Sequence, residues 1–95
     1  MKNEYYILKN KEVTEVPMME WAMWLEENRK ERIVGKDKIG KKTVSTVFIG
    51  LDHNFLGNGL HLFETMIFPG GELFSRCATW KQAEKEHQKA IESLK

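Results

Sequence analysis

Two nearby segments alternate in character with a period of two, and they restrict the fold more than anything else in the chain. In Thr43 to Leu51, Val44, Thr46 and Phe48 share one side while Ser45, Val47, Ile49 and Leu51 share the other. In Leu60 to Phe68, Phe63, Thr65 and Ile67 oppose Leu60, Leu62, Glu64, Met66 and Phe68. Period two over this length means strand, and a connection of only eight residues, Asp52 to Gly59, makes the pair antiparallel. Apolar side chains on both faces of the first segment place it centrally in a sheet. Glu64 is then a carboxylate in an otherwise apolar row, which is costly without a partner. Arg76 is the candidate counter-charge.

The flanking segments extend the sheet. Tyr5 to Leu8 and Glu12 to Val16 straddle the polar turn Lys9-Asn10-Lys11 and read as a hairpin. Arg32 to Ile39 leads through Gly40-Lys41 into the first central strand, a second hairpin. Pro69-Gly70-Gly71 ends the last central strand, and Leu73 to Cys77 follows as a short edge strand.

Two segments carry the helical period. Pro17 suits a helix start, and Met18, Trp21, Ala22 and Leu25 fall on one stripe that should face the core. Met19 and Met23 add a second apolar pair, with Trp24 beside the stripe. A helix wedged between sheet and loop accounts for this surplus better than a methionine-rich contact surface, although both remain open. Further on, Thr79 and Gln82 have capping-box spacing, and Trp80, Ala83, His87, Ala90, Ile91 and Leu94 line one face of the helix they begin.

The predicted architecture is therefore α+β: an antiparallel sheet of four to six strands with two helices packed on one face, in the order β-β-α-β-β-β-(β)-α. Ninety-five residues, 41% apolar and 31% charged, allow one core and a single domain, residues 1–95. The opposite sheet face is expected to be partly apolar and uncovered, a problem solved by a homodimer or by a bound protein partner.

Fifteen basic and fourteen acidic side chains nearly cancel, so overall charge selects no partner class. Locally, residues 29–42 carry a net charge of +5. That stretch lacks the aromatic side chains on which single-stranded bases stack, so nucleic acid is not the expected partner and edge protection is the better account. Cys77 is the only cysteine, which excludes an internal disulfide and gives no cysteine metal-site spacing. No apolar run is long enough to span a bilayer, and Met1-Lys2-Asn3-Glu4 leads into a strand rather than an apolar leader, so no membrane association is expected and the location is cytoplasmic.

Candidate chemistry is sparse. Asp52-His53 places a histidine beside a carboxylate in a loop, the combination that acts as a base or a metal ligand. No nucleophile or oxyanion-type glycine motif accompanies it, so the chain is not expected to be an enzyme. Adding His61 and Glu64 yields no recognisable metal spacing, and alternation sets those two on opposite faces. No metal and no cofactor is expected. His87 reads as a hydrogen-bonded histidine on an apolar stripe. Ser45-Thr46 and Glu64-Thr65, in strands that pair, suggest a polar patch beneath the Asp52 loop that either fixes register or binds a ligand.

Val44-Ser45-Thr46-Val47-Phe48-Ile49-Gly50-Leu51-Asp52-His53, Leu62-Phe63-Glu64-Thr65-Met66-Ile67-Phe68, Gly70-Gly71, and Thr79-Trp80 with Ala83 and His87 together resemble a family of small uncharacterised proteins encoded by bacteriophages and prophages. Trp21-Ala22 with Trp24 fits the same pattern. The chain departs from it at His61, where proline is expected, and at Pro69, which interrupts Phe68 and the glycines. The resemblance implies an accessory protein of the bacterial cytoplasm that binds a host or phage protein as a regulatory module. A shared site would comprise Ser45, Thr46, Asp52, His53, Glu64, Thr65, Arg76 and Trp80. The alternative is a small-molecule- or metal-binding protein, hydrolytic in the extreme case, using Asp52, His53 and Glu64.

Overall fold

A computed structural model describes residues 5–51 and 61–95. The order is β1 (Tyr5–Lys9), β2 (Glu12–Val16), α1 (Met18–Glu27), β3 (Ile33–Ile39), β4 (Lys42–Phe48), β5 (Phe63–Phe68), β6 (Glu72–Cys77) and α2 (Trp80–Ser93), an α+β fold. The six strands divide between two antiparallel sheets. β1 and β2 form a two-stranded hairpin, and β3-β4-β5-β6 form a four-stranded meander with β4 and β5 central and β6 at an edge.

Each turn follows from its residues. Asn10 and Lys11 both take positive φ, 51° and 68°, the condition for a two-residue turn whose twist matches its strands. Asparagine tolerates this conformation well, and Lys11 is carried with it. β1-β2 joins the larger sheet at one point. Tyr5 bridges Leu51, and the Tyr6 N–H donates to the Gly50 carbonyl at 2.7 Å. Gly50 has φ +68°, and a Cβ there would lie 2.4 Å from the Tyr6 carbonyl oxygen, so only glycine lets the strands approach this closely.

The register across the meander sorts its inner face into three layers. Val44 pairs with Ile67, Thr46 with Thr65, and Phe48 with Phe63. α2 lies over this face, its Thr79-Gln82 capping box formed in both directions. Ala83, His87 and Ala90 are its buried residues, and the two alanines let the helix axis come close. The core accordingly has two apolar parts. Leu8, Phe48, Leu62, Phe63 and Ala83 pack at one end, and Val44, Ile67 and Ala90 at the other, with Ile91 and Leu94 against them. Leu62 does not share the side of Glu64 that alternation predicts: it precedes β5, donates its N–H to the Cys77 carbonyl, and is fully buried.

α1 reaches the same inner face through Trp24, whose ring meets Phe48 at 5.7 Å and 88°. Its predicted stripe is rotated. Trp21, Trp24 and Leu25 are half-buried, whereas Met18 and Ala22 are exposed along with Met19 and Met23. The cause is an anchor outside the helix: Trp21 Nε1 donates to the Ile49 carbonyl at 3.1 Å, and its ring packs on Tyr5 at 5.0 Å. No helix among the described residues is long and apolar enough to cross a membrane.

Candidate functional site

The six described residues of the predicted patch do not form one surface. Thr46 and Thr65 point inward and are buried, Ser45, Glu64 and Arg76 belong to the outer face, and Trp80 stands at the start of α2. Asp52 and His53 lie outside the described residues. Adjacent residues on a strand face opposite ways, so Ser45-Thr46 and Glu64-Thr65 could not each contribute both members to one patch.

The inner polar layer is a continuous chain. Thr46 Oγ1 lies 2.8 Å from Thr65 Oγ1 and 2.7 Å from His87 Nδ1, and His87 Nε2 lies 2.7 Å from Asp37 Oδ2. A carboxylate can only accept, so with one ring proton that proton sits on Nε2, Nδ1 accepts from Thr46, and Thr46 accepts from Thr65. Gly35 makes room for the ring. A Cβ at that position would be 2.8 Å from Nε2.

Carboxylate, imidazole and hydroxyl in sequence have the order of a charge-relay triad, but Thr46 is wholly enclosed, 0% exposed, and no substrate can reach its oxygen. Only the Asp37 end meets solvent, its side chain 55% exposed. What the chain does is close the hydrogen bonds of a polar layer set between two apolar clusters. Asp37 was absent from the sequence-based candidates. Its inward place appears only in the structure, where β3 sets it opposite Val44 on the inner register.

The outer face is different in kind. Glu64 meets Arg76 across β5 and β6, with Arg76 Nε 2.9 Å from Oε2, which accounts for the acid in the apolar row. Around that pair lie Ile33, 42% exposed, Phe68, 41%, and Leu73, 48%, with half-buried Val47 and Met66 between them. Lys36 and Lys38 share this face through their pairing with Ser45 and Thr43. Neither helix covers it.

Cys77 lies under α2 with its thiol pushed up to about 11, chiefly by burial and further by the Glu86 carboxylate, with a backbone hydrogen bond at Thr79 opposing them. Such a thiol is a poor nucleophile at neutral pH. No group of three or more potential metal ligands exists among the described residues. No protein-family model, curated protein or solved structure matches the chain.

Proposed function

We propose that this chain is a small protein-binding module, of the phage- or prophage-encoded kind its sequence resembles, acting in the bacterial cytoplasm on a host or phage protein. The supporting observation is the outer face, which no described element covers and where three large apolar side chains are each more than two-fifths exposed on a four-stranded sheet. Its charge defines the partner. Lys36 and Lys38 are free to pair outward, while Glu64, the one carboxylate of that face among the described residues, is held by Arg76. A surface that is apolar at its centre and basic at one edge accepts an apolar segment bordered by acidic residues. A second copy presenting this same face would bring further lysines and no acid that Arg76 does not already hold.

Immobilised protein, a Leu73→Asp variant and a Met19→Asp variant should be compared on bacterial lysate, with light scattering on each. A stoichiometric partner kept by the parent and by Met19→Asp, lost by Leu73→Asp, and weakened by Lys36→Glu with Lys38→Glu supports the proposal. Equal recovery on all variants overturns it. So does a dimer that Leu73→Asp dissociates, since self-association would then occupy the face.

A further inference from the structure

We propose a ligand site that borders the outer face at Ile33: the groove between Trp24 and Trp80 binds a base-plus-phosphate unit, a planar nucleobase carried on a phosphorylated sugar. The groove has a volume of about 460 Å³, within the range of small-molecule sites. Leu8, Asn10 and Lys11 from the first hairpin form one wall, and Asn28, Lys30 and Glu31 from the link between α1 and β3 form another. A second depression, reaching Thr79 and Lys81, continues it past Lys11 and Trp80.

The two indoles are fixed from behind. Trp24 meets Phe48 edge-on at 5.7 Å, Phe48 meets Phe63 at 5.0 Å, and Phe63 meets Trp80 at 6.3 Å and 87°. Four rings in series therefore hold two half-buried tryptophans at the ends of a core phenyl pair, both opening into the same groove. Rigid aromatic walls lose little entropy on binding a flat ring, and stacking accepts any base. Lys11 Nζ lies over the Trp80 ring, 5.2 Å from its centroid, so a base stacking on that face takes the place of the ammonium and leaves it at the rim to meet the phosphate.

This juxtaposition is invisible in sequence. Residues 29–42 are strongly basic and contain no aromatic residue, yet folding brings Trp24 and Trp80 to the start of that segment at Lys30 and Glu31. With Lys11 and Lys30 against Glu31, the lining carries a net positive charge, suited to a phosphate at one end of a stacked base. The amides of Asn10 and Asn28 lie beside it; Asn28 spends its Nδ2 on the Trp24 carbonyl at 2.9 Å and keeps its Oδ1 as an acceptor for a base amino group.

The test is a titration of isotope-labelled protein observed at the three indole N–H signals. Trp21 is the internal control, because its Nε1 is tied to the Ile49 carbonyl. Adenosine 5′-monophosphate should shift Trp24 and Trp80 saturably with Trp21 unmoved, and adenosine without phosphate should bind roughly tenfold more weakly. Lys11→Gln with Lys30→Gln should weaken the nucleotide by about tenfold while the melting temperature falls by only the few degrees that loss of the Lys11–Trp80 contact accounts for. A four-nucleotide single strand binding over ten times more tightly than the mononucleotide assigns the unit to a strand, and equal affinity assigns it to free nucleotide. No saturable shift of the two indoles by either ligand overturns the proposal. Equal binding of adenosine and its phosphate, or unchanged affinity in the double variant, does the same.

Discussion

Replacing Gly35 with alanine tests the polar layer through one methyl group. The backbone there is not left-handed, so alanine costs nothing in φ, and the whole effect falls on the His87 ring. The added Cβ would sit 2.8, 2.9 and 3.0 Å from Nε2, Cδ2 and Cε1. Carbon contacts settle near 3.5 Å, so the ring must withdraw by roughly 0.7 Å. Its bonds to Thr46 and Asp37, 2.7 Å each, cannot both survive that move.

Two such bonds contribute about 1 kcal/mol each, and somewhat more where one partner is charged. Against this, alanine stabilises by about 0.4–1 kcal/mol through the unfolded chain. The expected result is a net loss of about 1.5 kcal/mol, or a melting temperature lower by roughly 10 °C for a chain of this size. Urea unfolding followed by tryptophan fluorescence measures it. The decisive arm is a double-mutant cycle. In a His87→Ala background the methyl group has no ring to strike, so Gly35→Ala should become neutral or slightly stabilising, giving a coupling of about 2 kcal/mol or more. If Gly35→Ala is neutral in the parent, or equally harmful without the ring, the ring contact is not what requires glycine. The bulge between Ile33 and Gly35 would then be the place to look.

Gly50→Ala should be harsher, because it combines a left-handed φ, about 1–2 kcal/mol, with a backbone oxygen 2.4 Å from the new Cβ; a loss above about 3 kcal/mol by thermal circular dichroism is expected. Thr79→Ala should cost about 1 kcal/mol in the same assay, with Thr79→Ser close to the parent because the hydroxyl cap is kept. At pH 7.5, alkylation of Cys77 in the folded protein should be far slower than in urea, since its thiol is held near 11 against 9.0. The raised value also sets a sign: folding keeps a proton that the unfolded chain gives up, so this stabilisation is intact below pH 9 and disappears between 9 and about 11. Parent stability should therefore fall more steeply over that window than that of Cys77→Ala.

Local signals were legible where they were self-contained. The capping box at Thr79 and Gln82, the two-residue turns, and the alternation that sets Thr46 beside Val44 and Phe48 all needed nothing from elsewhere in the chain. What failed needed a partner. α1 could be read as a helix, but which side it buries depends on Trp21 reaching Ile49, 28 positions away. Grouping Ser45 with Thr46 into one patch treated closeness in sequence as closeness in space, which a strand reverses. Asp37 escaped because β3 carries a bulge, so alternation along that strand does not by itself fix its inward register against β4.

The polar layer explains where function should be sought. Thr46 and Thr65 pair with each other only in the observed register of β4 and β5: a slip of two residues sets Thr46 against Phe63 or Ile67 and strands its hydroxyl in an apolar layer. His87 adds the helix to the same constraint, since it bonds β4 with one nitrogen and β3 with the other. Every residue in this chain is thus committed to holding three strands and a helix in one alignment. The outer face carries no such duty, as among the described residues only the Glu64-Arg76 pair crosses it. The two surfaces should therefore separate under mutation. Gly35→Ala and Thr46→Val should lower stability and spare partner affinity in the fraction that folds. Leu73→Asp should do the opposite, and a partner whose affinity follows the polar layer instead would place recognition on the inner side of the sheet.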